Sequence, residues 1–148
     1  MVLSGGGAKG FAHIGVLKEI DKAGLQIDYI GGTSMGGIIG GLYAVGYSGN
    51  QIEQMMLDTD FLALLRDKLP RKAETFFEKE FGEKTVFTLP VNKGKIRLPR
   101  AISKGQNVLN FLSELLDTEK PHQDFSKLPI PFFCIATDLE NGTPVLLE

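Results

Sequence analysis

The sequence has no tryptophan, one cysteine and two histidines in 148 residues. A single thiol excludes an internal disulfide. Cys134 lies in the apolar run Pro131-Phe-Phe-Cys-Ile-Ala136, where a lone cysteine reads as a small buried hydrophobe. No stretch reaches the roughly 18 apolar residues of a membrane-spanning helix. No secretory signal pattern opens the chain. It begins directly in Met1-Val2-Leu3, which reads as the end of a strand, so residues upstream are expected. Charge of one sign is also lacking: 16 Lys and Arg stand against 18 Asp and Glu, for a formal net charge of -2. That balance carries no basic footprint for nucleic acid, which is not expected as a partner. The mild basic bias of residues 93–100 reads as a solvated hairpin. There are no internal repeats and no low-complexity tract, and the length suits one domain.

Glycine, by contrast, is abundant, with 18 residues, and it punctuates a regular alternation. Residues 1–4 form a short apolar run stopped by three glycines. Residues 10–23 predict a helix, with Phe11, Ile14, Leu17 and Ile20 at helical spacing and Lys18, Glu19, Asp21 and Lys22 on the polar side. Gly24 is its expected stop. A second strand is expected over 27–31, and a glycine-rich, nearly all-apolar buried helix over 37–45. Ser48 reads as the N-cap of a helix over 51–57.

Residues 60–82 read as helical or irregular and carry several Phe and Leu, taken as core in preference to a lipid-facing lid. A hairpin over 86–98 should turn at Asn92-Lys93-Gly94, and an amphipathic helix should cover 105–116. A strongly apolar strand over 130–137 and a hairpin turn at Asn141-Gly142 precede Val145-Leu146-Leu147. The order strand–helix–strand–helix predicts an α/β fold with a mainly parallel sheet. Its crossovers should be right-handed, which puts both glycine motifs on the sheet edge where such folds bind ligands.

Two motifs carry chemistry. In Gly5-Gly6-Gly7-Ala8-Lys9-Gly10, successive glycines turn the chain tightly and bring bare backbone N–H groups to a helix N-terminus, a setting suited to an anion. Alone, this loop fits a dinucleotide site or a plain tight turn equally well. In Gly32-Thr33-Ser34-Met35-Gly36, a G-x-S-x-G between a strand and a helix has the form of a nucleophile elbow. The sharp turn exposes the serine, and a Cβ on either flanking glycine would crowd it. Together the motifs place backbone donors beside a serine, as ester cleavage requires.

Ser4-Gly-Gly-Gly-Ala-Lys-Gly10, then Ala12-His-Ile-Gly-Val-Leu17, then Gly32-Thr-Ser-Met-Gly36 resemble the patatin-like phospholipase family, especially its bacterial members. Pro131-Phe-Phe-Cys-Ile-Ala-Thr-Asp-Leu139 is similar to that family's next core strand. The resemblance implies a three-layer α/β/α fold around a mainly parallel sheet. It also implies a Ser–Asp dyad acting on acyl esters of lipids or phospholipids, with no metal or cofactor, and contact with a membrane surface. Ser34 would be the nucleophile, and Gly5, Gly6 and Gly7 the oxyanion hole. Lys9, Gly10, Gly32 and Gly36 would complete the motifs.

One departure stands out. The family's aspartate sits in an Asp-Gly-Gly or Asp-Gly-Ala motif, and no Asp-Gly pair occurs here. The 148 residues are therefore expected to be part of the catalytic domain, without its base and inactive alone. Asp138 matches a non-catalytic position of the pattern and reads as a turn residue. A Ser–His–Asp esterase would need His13, read as a helix-surface or packing residue, or His122 in a polar loop. A dinucleotide-binding module would want an acidic residue at the end of the second strand; Asp28 is only at its start. A pseudo-enzyme built on a hydrolase is the remaining alternative.

Overall fold

The computed structural model describes residues 1–61, 64, 91–92, 95–96, 105–116 and 124–148. In chain order the elements are β1 (Val2–Leu3), a 3-10 turn (Gly7–Phe11), α1 (Ala12–Ala23), β2 (Ile30–Thr33), α2 (Met35–Ala44) and α3 (Gly49–Asp58). They continue with β3 (Val91–Asn92), β4 (Lys95–Ile96), α4 (Gln106–Leu115), a second 3-10 turn (Phe125–Lys127), β5 (Phe132–Thr137) and β6 (Pro144–Leu147). The chain divides into two compact units, Met1–Thr59 with Leu116–Glu148, and Asp60–Leu115.

The first unit is an α/β fold on a four-stranded sheet of order β1-β2-β5-β6. The β1–β2 and β2–β5 pairs are parallel, and β6 returns antiparallel on β5. This is the expected mainly parallel sheet with a hairpin at one edge. Helix α2 lies on one face. Its Gly40 comes so close to three strands that an added Cβ would be 3.0 Å from Ile30, 3.2 Å from Leu3 and 3.4 Å from Phe132. Leu17, Ile30, Ile39, Leu42 and Ile52 are fully buried, and removing such apolar surface from water is the main stabilising contribution. Strand side chains alternate between faces. On the face opposite α2, the ring of Tyr29 meets that of Phe133 at 5.8 Å, and Val2 and Ile135 are exposed.

Three helices are joined by polar groups around Asp21. Its carboxylate accepts from the Tyr43 hydroxyl at 2.6 Å and from the Gly49 amide at 2.7 Å. Burial, reinforced by this bond to Asp21 and by its negative charge, pushes the Tyr43 hydroxyl up to about 12. Lys18 of α1 also pairs with Glu53 of α3 at 2.6 Å. Ser48 caps α3 in a full capping box with Gln51, the arrangement that satisfies two orphan donors at a helix start.

Several boundaries differ from expectation. β2 runs 30–33 rather than 27–31, because pairing sets it: the Ile30 amide donates to Pro131 and the Gly31 amide to Met1, and the ladder with β5 continues to Thr33. α2 starts at Met35 rather than at 37, since Met35 and Gly36, read as part of the elbow, are already helical. α3 covers Gly49–Asp58, wider than 51–57, because the cap at Ser48 starts the helix directly behind it. The helix expected from 10 is α-helical only from Ala12; Gly10 belongs to the 3-10 turn. Gly24 caps α1 in the left-handed conformation, as expected.

The β5–β6 connection is longer than a two-residue turn. Asp138 and Asn141 stitch it: Asp138 accepts from Glu140 and Asn141, and Asn141 accepts from Thr143. Asp138 is thus a turn residue. Cys134 is half-buried rather than fully buried, and desolvation pushes its thiol up.

In the second unit, β3 and β4 pair antiparallel within the expected hairpin, Val91 with Ile96 and Asn92 with Lys95. The rings of Phe61 and Phe111 meet edge to face at 5.8 Å. Most of residues 60–82, the turn at Lys93-Gly94 and His122 lie outside the described residues.

Candidate active site

β1 and β2 are parallel neighbours, so the segments leaving their C-terminal ends emerge side by side. From β2 the chain reaches Ser34 at φ 51°, ψ -126° and enters α2 at once. Ser34 is the single non-glycine residue with positive φ among those described. A side chain held in such a sparsely populated conformation persists only where its surroundings over-determine it. Here two close approaches do so. An added Cβ on Gly32 would lie 2.5 Å from the Gly36 carbonyl oxygen, and one on Gly36 would lie 2.3 Å from that of Leu3. The first glycine lets α2 fold back on β2, and the second lets its opening turn sit on the end of β1.

Ser34 occupies the N-cap of α2, yet its side chain makes no capping bond. The exposed hydroxyl is left for other chemistry beside the positive end of the helix dipole. Among the described residues no carboxylate or imidazole is bonded to it. Across the gap runs the glycine loop. A Cβ on Gly5 would be 3.0 Å from the Ser34 Cβ and 3.7 Å from its Oγ, so bare backbone faces the serine. Gly6 and Gly7 have φ 146° and 55°, open to glycine and rare for other residues. The Lys9 amide is spent on the Gly6 carbonyl at 3.2 Å, whereas the amides of Gly5 and Gly6 precede the 3-10 turn and that of Gly7 opens it, so these three have no helical partner. The Lys9 side chain is exposed. Gly10 is a contact point: a Cβ there would lie 2.5 Å from Met35 Cγ, so the loop packs on the residue that follows Ser34.

The structure thus brings Ser34, Gly5, Gly10, Gly32 and Gly36 together around one strand-to-helix turn. It also shows a contact of His13 that the sequence did not suggest. His13 Nε2 lies 2.9 Å from the Ser4 carbonyl oxygen, a contact that depends on how α1 docks against the end of β1. No spacing rule would have found it. A dinucleotide-type acidic group is absent at the C-terminal end of β2, where Thr33 and Ser34 stand.

The sequence model of the patatin-like phospholipase family matches residues 1–146. Similar stretches occur in fungal lysophospholipases. The chain is 59% identical over 44 residues to one from Emericella nidulans, covering 30% of this chain and 3% of that protein. It is 55% identical over 47 residues to one from Yarrowia lipolytica, covering 32% and 3%, and 64% identical over 44 residues to one from Coccidioides immitis, covering 30% and 3%. The matched stretch is thus a small part of each relative's length.

Proposed function

Because the chain belongs to the patatin-like phospholipase family, we propose that it hydrolyses acyl esters of lipids with Ser34 as the nucleophile. The observation that carries this reading is the Ser34 backbone at φ 51°, which exposes an uncapped hydroxyl to a bare glycine loop. The relatives' lysophospholipase activity supports a single-chain phospholipid as the substrate class. Such a substrate would bring the protein to a membrane surface. Among the described residues, no helix is long and apolar enough to cross one.

In the proposed reaction the Ser34 oxygen attacks the ester carbonyl and its proton passes to a base. The carbonyl oxygen becomes negative, and the amides of Gly5, Gly6 and Gly7 stabilise it; one such donor contributes roughly 2.7–4 kcal/mol. Collapse breaks the bond to the leaving alkoxide, which takes up the proton. Water then attacks the acyl-enzyme by the same route, releasing the fatty acid and restoring Ser34. Lys9 and Gly10 keep the loop's form, Gly32 and Gly36 that of the elbow. The base would be the aspartate of a Ser–Asp dyad. No Asp-Gly pair of this sequence supplies it, and the 148 residues alone should turn over little substrate.

The test uses the native gene product that carries these residues. It should release p-nitrophenol from a p-nitrophenyl acyl ester, and Ser34→Ala should lower kcat by at least a thousandfold. Turnover retained in that variant would remove Ser34 from the mechanism. Robust hydrolysis by the 148 residues alone would refute the missing base.

A further inference from the structure

The geometry points to His13 as a positioning residue that fixes the direction of the Gly5 amide, the first donor of the oxyanion loop. This rests on the reading of that loop given above. A carbonyl oxygen can only accept, so the 2.9 Å contact between His13 Nε2 and the Ser4 oxygen requires the proton on Nε2. The acceptor is one half of a rigid unit. The Ser4 C=O and the Gly5 N–H belong to the same peptide group, which is planar and trans. Holding the oxygen therefore holds the N–H pointing the opposite way.

That peptide would otherwise be free to rotate. It follows a strand of two residues and precedes Gly6 at φ 146°, in a glycine run with no side chains to anchor it. On its other side it meets the elbow. An added Cβ on Gly36 would be 2.5 Å from the same Ser4 oxygen, and one on Gly5 would be 3.0 Å from the Ser34 Cβ. The Ser4–Gly5 peptide is thus held by α1 through His13 and lies against both the elbow and the serine. A donor bonded at its carbonyl also polarises the unit, which strengthens the bond its N–H can give. His13 does not touch the reacting atoms in this scheme; it acts through Gly5.

Two substitutions separate positioning from packing. His13→Gln removes the ring but can keep an N–H donor near Nε2. His13→Phe keeps a ring and removes the donor. In the native gene product, His13→Phe should lower kcat on the p-nitrophenyl ester by about 10–100-fold, below the roughly 10²–10³-fold ceiling for losing an oxyanion donor outright. KM should stay within about twofold, and His13→Gln should recover most of the kcat. If the side chain matters only for packing, Phe should be the milder change, and that ranking overturns the proposal.

The second readout does not need turnover. With selective ¹⁵N-glycine labelling, the Gly5 amide should give one sharp signal in the parent and in His13→Gln, and a broadened or split one in His13→Phe. A Gly5 signal indifferent to the donor overturns the positioning role whatever the activity. A Gly5 signal that follows the donor in a protein that hydrolyses no ester upholds the positioning role and refutes the hydrolase reading instead.

Discussion

Helix propensity and tertiary packing predict opposite outcomes for Gly36→Ala. Gly36 is inside α2, where alanine is intrinsically better than glycine by about 1 kcal/mol. On propensity alone the substitution stabilises. In the structure the new Cβ would lie 2.3 Å from the Leu3 oxygen and 2.5 Å from the Ser4 oxygen. Carbon and carbonyl oxygen normally rest about 3.3 Å apart or more, so the overlap approaches ~1 Å. Both obstacles are backbone at the end of a paired strand, and no rotamer change relieves them. The first turn of α2 would have to lift from β1, loosening the contacts of Leu3 and Ile39. Overpacking a core typically costs 1–3 kcal/mol, and with backbone on both sides the expected cost is about 3–4 kcal/mol. At this chain length about 1 kcal/mol moves Tm by roughly 2–4 °C, so Tm should fall by roughly 10 °C. Gly15 is the control: it is inside α1, and a Cβ there meets nothing within 4 Å. Gly15→Ala should raise Tm by a few degrees. Circular dichroism melts of the parent and both variants read the result. If Gly36→Ala melts with the parent, or if both variants shift the same way, the close-approach account of the elbow is wrong.

Ser34→Gly should relieve the backbone strain of φ 51°, which for a non-glycine residue is of order 1–3 kcal/mol; partly offset by glycine's larger unfolded entropy, the net gain should be about 1 kcal/mol in urea unfolding, with turnover abolished. Ser34→Ala should abolish turnover without that gain, and equal stabilities for the two variants would remove the strain argument. For pH, the folded-state value of Tyr43 is raised to about 12 from 10.0, so the folded protein holds that proton more tightly than the unfolded chain. Its contribution is fully present below pH 10 and is lost as pH rises toward 12. Stability should fall by about 2 kcal/mol across that window, water access reducing the full linkage value; Tyr43→Phe should flatten that part of the alkaline unfolding curve, and an unchanged slope would show that Tyr43 is not responsible.

Much of the site was legible because its requirements are local. A strand, a serine between glycines and an apolar helix define the elbow in a short window. A run of three glycines before Lys9 defines the loop. The alternation of elements also gave the parallel order of β1 and β2, and with it the shared edge. Boundaries were less legible. Gly32 has little strand propensity, yet it pairs with Leu3 on one side and Cys134 on the other because β1 and β5 flank it. Glycine signals a turn by default, yet Gly36 is helical.

The sequence by itself determined the α/β class, the order of the elements and the place of a sharp strand-to-helix turn at Ser34 between glycines, because these follow from periodicity and from backbone freedom along a short stretch of chain. Only the tertiary structure decided why each glycine is there. Gly6 and Gly7 supply positive φ, whereas Gly10, Gly32 and Gly36 make room for a neighbouring segment, and no local pattern separates the two needs. The same holds for His13. Its bond to Ser4 joins residues nine apart, and it forms only because packing of α1 fixes the angle at which that helix meets the end of β1.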